Sequence, residues 1–136
     1  MLKILFLLFI SLISPFSYAQ STAPADAKVY FISPGDGDIL NNPVTVRFGL
    51  KNMGVAPAGT QVENTGHHHL LIDTELPALD MPVPSDDHHR HFGKGQTETQ
   101  LTLPPGKHTL QLLMGDFRHI PHNPPLFSEK ITITVK

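Results

Sequence analysis

Prolines occupy thirteen of the 136 positions, and twelve of them follow residue 19. A proline fixes its own φ, offers no backbone N–H and clashes with the turn before it, so a helix interior rejects it. This spread forbids a long helix over most of the chain, and no apolar set recurs at helical spacing for three turns. Alternation recurs instead. In Pro43 to Leu50, Val44, Val46, Phe48 and Leu50 share one face while Thr45, Arg47 and Gly49 share the other, the period of a half-buried strand. Ile131, Ile133 and Val135 repeat it near the end.

Seven short strands are predicted on this basis: 28–33, 43–50, 67–73, 89–92, 96–103, 107–114 and 128–135. Strong turn chemistry separates several of them, as at Pro34-Gly35-Asp36-Gly37, Gly93-Lys94-Gly95 and Pro104-Pro105-Gly106. Residues 51–66 read as a long loop, and 74–87 and 115–125 as proline-rich irregular segments. The expected fold class is all-β: an immunoglobulin-like antiparallel β-sandwich of about seven strands, without the tryptophan and cysteine pair of true immunoglobulin domains.

Residues 1–19 read as a signal peptide. Lys3 precedes the apolar run Ile4 to Ile13, Pro15 ends it, and Ser17-Tyr18-Ala19 supplies the small-x-small pattern, so cleavage is expected between Ala19 and Gln20. The run is shorter than the roughly 20 residues that span a bilayer, so no membrane span is expected after cleavage. A flexible leader over 20–27 and one domain over 28–136 would follow, in the periplasm or secreted. Without Lys3 the ten basic residues become nine against twelve acidic ones. That balance argues against a nucleic-acid partner. No cysteine is present to form a disulfide.

Chemistry concentrates in the nine histidines. All but His108 fall in three groups: His67-His68-His69, His88-His89-Arg90-His91, and His119-Ile120-Pro121-His122. Residues two apart on a strand point to one face, about 6–7 Å apart at the backbone. His67 and His69 therefore point together, and His89 and His91 repeat the spacing. If the pairs meet, imidazoles converge in a manner that suits Zn²⁺ or Cu²⁺. His119 and His122 could swing in from a loop as auxiliary ligands. His68 alternates with Leu70 and Ile72, and His108 with Leu110 and Leu112, so both read as structural. The competing reading of the whole set is a hydrogen-bonded histidine scaffold. Other signals are weaker. Asp36-Gly37-Asp38 lacks the remaining ligands of a calcium loop, no serine sits in a nucleophile elbow, and Met53, Met81 and Met114 stand singly.

The stretches Gly66-His67-His68-His69-Leu70-Leu71-Ile72-Asp73, His91-Phe92-Gly93-Lys94-Gly95-Gln96-Thr97-Glu98, Pro105-Gly106-Lys107-His108-Thr109-Leu110-Gln111-Leu112 and Ser128-Glu129-Lys130-Ile131-Thr132-Ile133 resemble a bacterial family of exported proteins catalogued as a domain of unknown function. The similarity runs from about Val29 to Val135. It implies a single periplasmic or secreted domain and supplies no activity. A looser resemblance, of architecture alone, is to periplasmic copper-handling β-sandwiches, whose methionine-rich motifs this chain lacks.

The sequence thus predicts a metal ion, copper or zinc, held by His67, His69, His89 and His91 with help from His119 and His122, for storage, delivery or buffering. Affinity is expected to fall below about pH 6, as protons compete for the rings. The alternative is a metal-free module that binds an envelope protein. A metal-dependent hydrolase ranks third; it would need a carboxylate base, for which Asp73 or Glu98 could serve although no sequence pattern nominates either.

Overall fold

Alternating burial organises the chain into strands from β1 (Lys28–Ser33) to β9 (Ile131–Val135) in a computed structural model that describes residues 19–136. The signal peptide expected over 1–19 therefore lies, but for Ala19, outside the described residues. The longer strands match the alternating segments: β3 (Val44–Lys51), β5 (Thr65–Ile72), β6 (His89–His91), β7 (Glu98–Leu101) and β8 (Gly106–Gly115). Two more, β2 (Ile39–Leu40) and β4 (Gly54–Val55), are only two residues long. β4 falls inside the stretch read as a long loop and β2 between the turn at 34–37 and the strand at 43–50, because two residues carry no period.

The strands form two sheets. One has the order β1-β3-β7; the other runs β2-β9-β8-β5-β4, with β6 also paired to β5. The all-β sandwich-like arrangement is as expected, with one correction to its connectivity. β2 pairs β9 and β4 pairs β5 in parallel, so the larger sheet is mixed at its margins and antiparallel elsewhere.

Between the sheets lies the main core. Val29, Val44, Val46, Phe48 and Leu101 face Leu70, Ile72, Leu110, Leu112, Met114, Ile131, Ile133 and Val135. Val46, Leu70, Leu110, Leu112 and Ile133 are wholly buried, and each such side chain contributes about 1.5–3 kcal/mol relative to an exposed one. Among the described residues, no helix is long and apolar enough to cross a membrane.

The other face of the larger sheet positions the site. It is covered by the chain itself: Leu76, Leu79 and Val83 from the proline-rich segment pack on Leu71 and Leu113 in a second apolar cluster. The Val83 N–H donates to the His119 carbonyl at 2.9 Å, which ties this cover to the loop after β8. β5 is consequently buried on both faces from Gly66 to Ile72. The segment 20–27, expected to be flexible, is anchored at its start. Gln20 Nε2 donates to the carbonyls of Leu79 and Pro121, at 2.6 and 3.0 Å, and the Asn123 N–H donates to the Ser21 carbonyl at 2.9 Å.

Candidate metal centre

Register decides which histidines meet. β5 and β6 pair antiparallel with His69 opposite His91 and Leu71 opposite His89. Directly paired residues share a face, so His91 stands beside the outward pair His67 and His69 while His89 sits further along. His119 comes from the turn after β8, at a positive φ of 67°, and its ring lies 5.1 Å from that of His67 between centroids. His67, His69, His91 and His119 each offer a ring nitrogen, and these atoms all lie within 4.8 Å of one another. Ring centroids within the group are separated by 4.7 Å (His91–His119) to 6.2 Å (His69–His119).

The closest approaches centre on one atom. His67 Nε2 lies 3.0 Å from His69 Nε2 and 3.2 Å from His119 Nδ1. A ring nitrogen carries either one proton or one lone pair in the ring plane. It can therefore make one good hydrogen bond and not two, whatever the tautomers.

Burial shapes the electrostatics. His67 and His69 are fully buried, His119 is partly exposed and His91 lies at the surface. Loss of solvent, with the neighbouring rings His91 and His119 adding to it, lowers the His67 pKa to about 4; the Asp116 charge opposes this. His69 is lowered to about 2 by burial and then by His67, His91 and His119. Burial and His119 also lower His91. These three rings are neutral at pH 7, the state in which imidazole binds metal.

Three glycines make room for the rings. A Cβ at Gly93 would overlap the His91 ring, and one at Gly115 would lie 3.1 Å from His69 Nε2. At Gly66 it would meet the Gly115 carbonyl oxygen at 2.7 Å and His122 Cε1 at 2.8 Å. The sequence reading took Gly93 as part of a turn and gave Gly66 and Gly115 no role at the site, although their closeness to histidine-bearing segments was visible.

It also passed over Asp116, which is 1% exposed. Its Oδ1 accepts from the N–H groups of Arg118 and Ile120, at 2.8 and 3.1 Å. Its Oδ2 accepts from Ser21 Oγ at 2.8 Å and Arg118 Nη2 at 3.2 Å. Burial alone would raise this carboxyl's pKa, but the bonds from Ser21, Arg118 and Ile120 outweigh it and hold the pKa below its usual value.

The remaining histidines are engaged elsewhere. His89 Nδ1 lies 2.9 Å from Asp86 Oδ1, and His122 Nε2 lies 3.1 Å from the Thr65 carbonyl oxygen. Neither joins the clustered four, so two of the six expected ligands stand apart: β-register removes His89, and a backbone acceptor claims His122. His88 Nδ1 meets the Ile72 carbonyl at 2.8 Å. His108 lies between Asp73 Oδ2, at 2.7 Å, and the Pro104 carbonyl, at 2.8 Å, in the structural role expected of it. His68 points into the main core against Phe48, ring centroids 5.1 Å apart, with neither ring nitrogen hydrogen-bonded. The carboxylates considered as hydrolytic bases are occupied too: Asp73 by His108 and the Thr109 N–H, Glu98 by Arg47.

A family profile described as Domain of unknown function (DUF4399) matches residues 46–136, a span that starts within β3 and includes all four clustered histidines. No curated protein and no solved structure matches the chain.

Proposed function

We propose, from the premise that the chain belongs to the DUF4399 family and that this family carries no assigned activity, that the protein binds a Cu²⁺ or Zn²⁺ ion through His67, His69, His91 and His119. The observation that carries this reading is the double approach at His67 Nε2, with ring nitrogens at 3.0 and 3.2 Å. Hydrogen bonding can satisfy one of the two contacts, whereas an ion accepts every lone pair at once. Two nitrogens on tetrahedral Zn–N bonds of about 2.0–2.1 Å lie roughly 3.3 Å apart, close to both distances. A set of neutral imidazoles suits Zn²⁺ and Cu²⁺ and offers no sulfur to select Cu⁺.

Among the described residues, Asp73, Glu98 and Asp116 are each engaged in hydrogen bonds, and we favour storage, delivery or buffering of the ion over hydrolysis. The exported location expected from residues 1–19 places that role in the cell envelope or outside the cell. The Nδ1 atoms of His67 and His69 have no hydrogen-bond partner, which departs from the usual second bond of a ligating histidine and equally from a hydrogen-bonded scaffold.

Metal content of untagged protein, purified without a nickel column and followed by titration with Cu²⁺ and Zn²⁺, separates the two. One ion per chain is expected, lost in His67→Ala/His69→Ala and kept in His89→Ala. Protein that stays metal-free through both titrations would leave the cluster as a scaffold.

A further inference from the structure

Three of the clustered histidines are set by strands, His67 and His69 by β5 and His91 by β6. His119 sits in a five-residue turn, Asp116 to Ile120, outside any strand, held from the cover segment by the Val83 N–H on its carbonyl. The turn is closed by the Asp116 N–H on the Ile120 carbonyl and the His119 N–H on the Asp116 carbonyl, both at 2.8 Å. The same Asp116 carboxylate binds Ser21 Oγ, and Gln20 Nε2 reaches Pro121, the residue after the turn. Asn123, further on, donates to the Ser21 carbonyl. The N-terminal segment therefore grips this turn on both sides, about a hundred residues away in the chain.

We infer that Gln20 and Ser21 are positioning residues for the metal centre: they form a strap that holds His119 in ligating position and slows loss of the ion. This rests on the metal reading above. Among the described residues the main core begins at Val29, so Gln20 and Ser21 lie outside it.

The test compares the wild type with Gln20→Ala/Ser21→Ala, each loaded with Cu²⁺ and challenged with a chelator. Loss of these three side-chain hydrogen bonds is expected to speed release by about five- to tenfold. In a His119→Ala background the same pair of changes is expected to add nothing, and Ser21→Thr, which keeps the hydroxyl, is expected to retain the slow rate. An unchanged rate, or equal acceleration in the His119→Ala background, overturns the strap. A metal-free readout keeps the two proposals separable. Amide exchange at His119 and Ile120, whose N–H groups bond Asp116, is expected to quicken in the double variant. Faster exchange in a protein that takes up no metal would support the strap and sink the metal reading; unchanged exchange would sink the strap itself.

Discussion

His68→Leu is expected to make this protein more stable, and increasingly so as the pH falls. The wild-type ring is fully buried beside Phe48, and both of its nitrogens lack partners. A buried polar atom left unpaired costs about 1–3 kcal/mol, and leucine fills nearly the same volume without one, a kind of swap that cores tolerate well. Burial also lowers the His68 pKa from 6.5 to about 4. Because the folded value lies below the unfolded one, the unfolded chain takes up the proton first. The stability is therefore present above about pH 6.5 and drains away as pH falls toward 4. At pH 5 the linkage amounts to about 2 kcal/mol, against almost nothing at pH 7.5. His67 and His69 add their own pH dependence to both proteins, and it cancels in the comparison. Urea unfolding with a chelator present, followed by far-UV circular dichroism because the chain has no tryptophan, measures the gap. With a slope of about 1–3 kcal/mol per molar urea, the difference between the two midpoints should widen by roughly 1 M between pH 7.5 and pH 5. A constant gap, or a variant less stable than wild type at pH 7.5, would refute the reasoning.

Metal affinity should survive further into acid than unperturbed histidines allow, since His67 titrates at about 4 and His69 at about 2. Chelator competition from pH 7.5 downward is expected to place half-loss at about pH 5 rather than 6.5; half-loss at or above 6.5 would contradict the burial argument. Gly93→Ala should displace His91, the ring its Cβ would overlap, and weaken binding by about tenfold while His67 and His69 still hold the ion. Isothermal titration reads this, and an unaltered affinity would remove His91 from the ligand set. For Asp73→Asn the sign is opposite to that for His68. The bond to Asp73, backed by the Pro104 carbonyl, raises the His108 pKa against a smaller effect of burial. The stability it lends is full below 6.5 and fades as pH climbs through the raised value. Wild type should exceed the variant by more at pH 6 than at pH 9 in thermal unfolding, and an equal difference at both would refute the pair's charge.

The strands were legible wherever alternation was long enough to see, as in Val44 to Leu50 and Ile131 to Val135. β2 and β4 were not, because their pairing is created by neighbours already in place. The site was half legible. Spacing put His67 and His69 on one face, but the choice of His91 over His89 depends on the offset between β5 and β6, which a single sequence does not encode locally. The choice of His119 over His122 turns on a positive φ at a non-glycine residue and on a buried aspartate three positions earlier. Neither leaves a periodic trace.

The strand at the centre of the site is blind to its own parity. From His67 to Ile72 it reads histidine, histidine, histidine, leucine, leucine, isoleucine, and both of its faces are buried. A slip by one residue normally throws apolar side chains into water and is rejected for that reason; here odd and even positions carry nearly the same chemistry. Register must come from the brackets around the run. Gly66 at one end admits nothing larger against the Gly115 carbonyl. Asp73 at the other, at φ 54°, receives the Thr109 N–H at 2.8 Å and the His108 ring. The frame that sends two histidines to the site and one to the core is thus fixed by a glycine and an aspartate, neither of which is in the cluster.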